Sequence, residues 1–225
     1  MDNNDKLLFP SSRAFEENEK HTIETAFLEA IFENKVVSGY CANMFNIGFD
    51  CNVADLKAEM EKKPFVSGSM SYLISIFVML ISKKGANLKI EIDGVKRHSG
   101  KLLLTSVANG SFCGGGIKSN PLASVCDGKI SINIIKNISR LKFLYLLPYY
   151  MKGNFLKIKN IEKVVLSEKC SNVRISPING KIRLCIDGEI IDAGETEFEI
   201  CHNAFNFVLP GEKLCEKPML EGAMV

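Results

Sequence analysis

Leu88-Lys89-Ile90-Glu91-Ile92-Asp93-Gly94 alternates apolar and charged residues and then stops on an Asp-Gly pair. Alternation with period two places the apolar side chains on one face of a half-buried strand. Asp-Gly readily takes the positive backbone dihedrals of a tight hairpin turn. Working outward, residues 101–107 form the returning strand or lie one strand further on, and residues 129–135 (KISINII) alternate again. Val173-Arg174-Ile175 runs to Asn179-Gly180 and residues 181–186 answer it, which predicts a second hairpin. Residues 197–200 and 205–209 add two short strands, ended by Pro210. Short strands joined by Asx-Gly turns, without regular strand-helix alternation, predict a mainly β chain: a β-sandwich with a few helices.

Three segments carry a helical period. In residues 16–35, Ile23, Phe27 and Ile31 fall at i, i+4 and i+8, which predicts one amphipathic helix behind a polar lead over residues 2–13. Residues 70–82 (MSYLISIFVMLIS) read as a buried core helix or one that touches a bilayer surface, being too short to span. Ser139 is a good N-cap for a third helix, which Pro148 is expected to break. The predicted division is a lead and helix over 1–39, a β domain over 40–210 and a loose tail over 211–225.

The 225 residues carry 28 basic and 26 acidic side chains, a net charge of +2, which leaves no footprint for nucleic acid. Eight cysteines occur without a C-x-x-C pair, so zinc spacing is missing. The polar, acidic start Met-Asp-Asn-Asn-Asp is no signal peptide, and eight reduced thiols in a cytoplasmic protein are the expectation.

Asp187-Gly188-Glu189 sets two carboxylates close together, an arrangement that raises one pKa and makes a candidate general base. The same tripeptide also reads as an ordinary turn with a solvated Glu. Asn109-Gly110-Ser111-Phe112-Cys113-Gly114-Gly115-Gly116 is a near miss for a phosphate loop, because Ile117 stands where such a loop needs Lys. Its glycines suit a close backbone approach or a bulge. Asp127 beside Gly128, with the carbonyls of Ser124 and Lys129, offers oxygens to a hard cation or forms a simple Asx turn. Residues 43–50 (N-M-F-N-I-G-F-D) read as a strand ending at a glycine, with no chemistry of their own.

In order, these segments resemble the C-terminal half of the bacterial diacylglycerol kinase and lipid kinase family, which includes sphingosine-kinase-like enzymes and shares architecture with NAD kinases. The resemblance runs over residues 40–210: N-M-F-N-I-G-F-D, an apolar segment after Gly68, A-N-G-x-x-C-G-G-G at 108–116, Pro121, Asp127-Gly128, Asp187-Gly188-Glu189, and A-F-N-F-V-L-P at 204–210. It implies a β-sandwich that supplies the acceptor-lipid site beside a nucleotide-binding α/β domain. It implies catalytic roles for Glu189, as base on the lipid hydroxyl, and for Asp187 beside it. It further implies a magnesium site at Asp127, Ser124 and Lys129, and a substrate cleft near Asn109, Gly114, Gly115 and Gly116. Cys126 departs from the family pattern, which often has a second Asp there.

The family's ATP loops, G-G-D-G-T and G-T-x-N-D, do not occur in these 225 residues. The resemblance therefore implies a lipid kinase with Mg2+ and ATP as cosubstrate, inactive until a nucleotide-binding domain is supplied. The expected partners are a diacylglycerol-like lipid, that domain in trans or a second copy in a homodimer, and the inner face of the membrane as a peripheral contact. A non-enzymatic lipid-binding or interaction module that retains the fold is the alternative, and an NAD-kinase-like activity a third.

Overall fold

The computed structural model describes residues 20–32, 35–48 and 85–208. The apolar segment 70–82, the lead 2–13, Asp50 and the tail 211–225 lie outside the described residues. Eleven strands are described: β1 (Lys20–Phe32), β2 (Lys35–Cys41), β3 (Met44–Gly48), β4 (Ala86–Ile92), β5 (Val95–Ala108), β6 (Ile130–Lys136), β7 (Val165–Cys170), β8 (Asn172–Pro177), β9 (Ile182–Ile186), β10 (Glu189–Ala193) and β11 (Thr196–Val208). One α-helix, α1 (Arg140–Met151), is described with them.

The hairpin at Asp93-Gly94 forms as expected, with φ of 47° and 77° at the two turn residues. Its returning strand is β5, so residues 101–107 belong to the same 14-residue strand. Along its first half β5 pairs with β4; along its second half it takes β3 on one edge and β6 on the other. From this branch the sheet runs β10-β9-β3-β5-β4-β8-β11-β1-β2, with β6 and then β7 off the path. The sheet curls enough for strands distant in that order to face each other. Phe45 on β3 and Phe198 on β11 pack at a tilt of 55° with ring centroids 4.5 Å apart inside one core. Ile90, Ile132, Ile175 and Leu184, from four strands, share that core with them.

Four expectations are corrected. Residues 20–32 form strand β1, not an amphipathic helix. A spacing of four satisfies a period of two as well as 3.6, and pairing with β11 on one edge and β2 on the other supplies the strand's hydrogen bonds. The hairpin expected across Asn179-Gly180 does not form: β8 pairs with β4 and β11, whereas β9 pairs with β3 and β10. Val173, Ile175, Ile182 and Leu184 all face the same core, so the two strands bury their apolar faces in different parts of the sheet. Residues 197–200 and 205–208 belong to one strand, β11. Finally, α1 runs through Pro148 to Met151, because Pro148 removes one N–H while buried Tyr150 holds the last turn against the sheet. Its start is as expected, with Ser139 Oγ accepting from Lys142 N at 3.3 Å.

The α1 helix covers the outer face of β5, β6 and β7, forming a second core with Leu104, Ile135, Phe143, Leu146, Tyr150 and Phe155. Strand β6 is therefore buried on both faces, and its alternate polar residues Ser131 and Asn133 are 1% and 0% exposed. Asn133 Nδ2 donates to Ser119 O at 2.7 Å and Asn120 Oδ1 at 2.6 Å. Ser167 Oγ donates to Asn133 Oδ1. Asn120 Nδ2 in turn donates to Ser106 Oγ at 3.0 Å, which closes a polar network under the loop after β5. Cys126 is disulfide-bonded, which corrects the expectation of eight reduced thiols. Among the described residues no helix is long and apolar enough to cross a membrane.

Candidate active site

The Asp187-Gly188 pair makes a tight hairpin between β9 and β10, with φ of 46° and 103°. That turn aims the Asp187 carboxylate at the corner between β2 and β3. It accepts Ala42 N at 2.9 Å, Asn43 N at 3.2 Å and Met44 N at 2.8 Å, and the Cys41 thiol at 3.2 Å. Asp187 N donates to Met44 O at 3.1 Å, so side chain and backbone fasten the same corner. Burial first, and then the Asp187 charge and its hydrogen bond, push the Cys41 thiol far above its ordinary range. The Asp187 oxygens are spent on amides and a thiol, which makes this residue a positioning group.

Asn43, fastened in this way, holds the loop after β5. Its carbonyl accepts Asn109 N at 2.8 Å and Gly110 N at 3.0 Å. Its Nδ2 donates to Phe112 O at 3.0 Å. Asn109 Nδ2 donates to Ala42 O at 3.1 Å. The close approach expected of the glycine-rich stretch occurs at Gly110, where a Cβ would lie 2.2 Å from Asn43 Oδ1. Gly114 and Gly116 face open space, and residues 114–116 form a short 3-10 turn closed by the Cys113–Ile117 bridge. Asn43 carries the connection that ties the Asp187 turn to the Asn109 loop. Its sequence reading gave no sign of that, because the signal is a main-chain contact between segments far apart in the chain.

Glu189 opens β10, opposite Ile186, with its side chain exposed. Among the described residues it makes no hydrogen bond or ion pair. The hairpin thus separates its two acids: Asp187 is engaged in structure, and the Glu189 side chain is exposed.

Asp127 lies in a different group. Its Oδ1 accepts Lys129 N at 3.1 Å, the Asx-turn arrangement, and its Oδ2 pairs with the Lys169 ammonium on β7. Lys129 Nζ reaches Ser171 Oγ at 2.9 Å. One carboxylate already facing an ammonium does not fit a hard dication, which takes six or so oxygens and favours anionic ones. Among the described residues no cluster of three or more metal-ligating side chains occurs. A second corner repeats the Asp187 arrangement: Asp93 Oδ1 accepts Ser171 N at 2.9 Å and Asn172 N at 2.8 Å, and Asp93 N donates to Asn172 O at 3.0 Å.

Compared with known proteins, residues 43–209 match the family model described as the YegS C-terminal NAD kinase beta sandwich-like domain. A solved diacylglycerol kinase from Bacillus anthracis str. Sterne aligns with a TM-score of 0.54 at 16% identity, over 84% of this chain and 53% of that chain. A second structure from that organism, described as a candidate diacylglycerol kinase, aligns with a TM-score of 0.60 at 17% identity, over 87% of this chain and 60% of that chain. This chain thus spans between 53% and 60% of the solved proteins it resembles, and identities this low speak to the fold. No curated protein matches it.

Proposed function

Because the chain belongs to the YegS C-terminal NAD kinase beta sandwich-like domain family, and so to a family of kinase domains, we propose that it supplies the acceptor side of an ATP-dependent phosphoryl transfer to a lipid hydroxyl. In this reading residues 40–210 form the substrate domain. A nucleotide-binding region, on another polypeptide, on a longer form of this chain or in a homodimer, completes the site. The observation that carries the reading is the division of labour in Asp187-Gly188-Glu189, with one acid holding the Asn43 corner and the other exposed and unengaged among the described residues.

Phosphoryl transfer rests on positioning and on charge stabilisation around the γ-phosphate. Glu189 takes the proton of the lipid hydroxyl as its oxygen forms a bond to the γ-phosphorus. The bond from that phosphorus to the bridging oxygen breaks, and ADP leaves. Asp187 keeps the turn and the Asn43–Asn109 connection in place, and the cleft at Asn109, Gly114, Gly115 and Gly116 receives the lipid. ATP, with its magnesium, enters as substrate on the partner region. The diacylglycerol kinase names of the solved relatives support the lipid acceptor only through shared fold.

The test incubates the chain with ATP, Mg2+ and diacylglycerol in mixed micelles, alone and with a nucleotide-binding domain from a relative. Phosphatidic acid is expected only in the second mixture, and Glu189→Gln should lower it by a factor of about 100 or more. Full activity in Glu189→Gln would remove the base. Lipid binding without any product in the combined mixture would favour a binding module instead.

A further inference from the structure

Helix α1 is apolar on two opposite sides. Phe143, Leu146, Leu147, Tyr150 and Met151 fall at i, i+3, i+4, i+7 and i+8 and pack on the sheet. Leu141, Leu144, Tyr145, Pro148 and Tyr149 repeat the same spacing on the far side and are exposed. The exposure is large for such residues: 81% for Leu141, 46% for Leu144, 57% for Tyr145 and 40% for Tyr149. Scattered apolar residues at a surface need no explanation, but a contiguous stripe along a helix marks a contact surface.

Charge identifies the partner. Residues 136–163 hold seven Lys or Arg against one acid, Glu162, an excess of six in a chain whose total excess is two. All seven cations are exposed. The two tyrosines lie together, with ring centroids 5.5 Å apart. Tyrosine concentrates at the headgroup level of membranes, and long cationic side chains reach past an apolar stripe to lipid phosphates. An exposed apolar stripe in a segment with this excess of exposed cations fits an anionic bilayer.

The C-terminal end of α1 lies beside the loop after β5. Lys118 N donates to Met151 O at 3.0 Å at the end of α1, and Lys118 Nζ stands 5.6 Å from the ring centroid of Phe112, which is 52% exposed. Phe112 O is the acceptor of Asn43 Nδ2. We propose that the outer stripe of α1, with the exposed Phe112 and the exposed cations of residues 136–163, docks this chain on the surface of an anionic bilayer. Docking there brings the Asn43–Asn109 loop against the headgroups. The surface does not depend on phosphoryl transfer, so it can be tested without ATP.

The experiment measures sedimentation of the purified chain with phosphatidylcholine vesicles, with and without phosphatidylglycerol. Binding is expected only with phosphatidylglycerol and should weaken about tenfold in the double variant Lys142→Gln, Lys159→Gln. Leu141→Gln combined with Tyr145→Gln should weaken it about tenfold as well, with circular dichroism unchanged because both positions are exposed. The chain has no tryptophan, so Tyr145→Trp gives a single emitter whose fluorescence should shift to the blue when these vesicles are added. Equal binding to neutral vesicles, unchanged binding by the Leu141, Tyr145 variant, or an unshifted emission from Tyr145→Trp would overturn the proposal. So would a stable dimer that the Leu141, Tyr145 variant abolishes, since a second copy would then be the occupant.

Discussion

Asp187 reaches across 143 residues to accept the backbone N–H of Met44 at 2.8 Å, and returns its own N–H to the Met44 carbonyl at 3.1 Å. This reciprocal pair turns a hairpin tip into the support of a corner formed by other strands. Removing the carboxylate leaves three amides, of residues 42, 43 and 44, without their acceptor. Asp187→Ala is expected to cost about 2 kcal/mol in urea unfolding. Glu189→Gln, at an exposed and unengaged position, is expected to stay within about 0.5 kcal/mol of the parent. Equal losses in the two variants would contradict the separation of the two acids.

Asn133 is the node of the buried network, bonded to Ser119, Asn120 and Ser167. Asn133→Leu keeps the number of side-chain heavy atoms, takes the Nδ2 donor from Ser119 O and takes the acceptor from Ser167 Oγ in a dry interior. A loss of about 3 kcal/mol is expected. Thermal unfolding checks it, and a neutral result would mean that water reaches these groups.

Two buried thiols give a stability change on the alkaline side. Burial, followed by the charges of Asp93 and Glu168, pushes Cys170 up to about 12, and Cys41 is raised for the causes given above. A thiol raised in the folded chain contributes fully below the unfolded thiol pKa of about 8.5 and loses that contribution as pH rises toward the folded value. The midpoint of thermal unfolding should therefore fall from about pH 8.5 upward, and fall less in Cys41→Ser, which keeps a donor to Asp187. Alkylation of the folded chain at about pH 8 should spare both thiols.

The Asp127–Lys169 pair decides how this corner treats magnesium. With the ammonium in place, millimolar Mg2+ should leave the unfolding midpoint of the parent unchanged. Lys169→Gln frees one carboxylate oxygen and should make the midpoint rise with Mg2+. A rise of the same size in the parent would show that the cation displaces Lys169 unaided.

The hairpin at Asp93-Gly94 was legible because its two strands are adjacent in the chain and its turn chemistry is local. The β-sandwich class followed from the same kind of signal, as did the Ser139 cap. What was not legible depends on contacts between distant segments. Asn179-Gly180 has the chemistry of a hairpin turn, yet β8 pairs with β4 and β11 while β9 pairs with β3 and β10, which local turn chemistry does not decide. Ile23, Phe27 and Ile31 have a spacing that both periods satisfy, and only β2 and β11 decide between them. Ser131 and Asn133 alternate like solvent-facing residues, yet both are buried, Asn133 beneath the loop that carries Ser119 and Asn120. At the site, Asp187 and Glu189 were visible as a pair of acids. Their separate engagements were not, because the Ala42–Met44 amides that tell them apart lie in a distant part of the chain.

Asp93 and Asp187 sit at matching tips, each binding the amides that follow a cysteine, Cys170-Ser171-Asn172 in one case and Cys41-Ala42-Asn43 in the other. The bonds close loops of 78 and 145 residues, so neither can form until the strands they extend, β4 with β8 and β9 with β3, have paired. Groups that lock last govern how fast a chain comes apart rather than how fast it assembles. The two aspartates are thus expected to act as latches: Asp93→Ala and Asp187→Ala should speed unfolding and leave refolding rates close to the parent's. The lifetime of the folded sheet is then set at two hairpin tips.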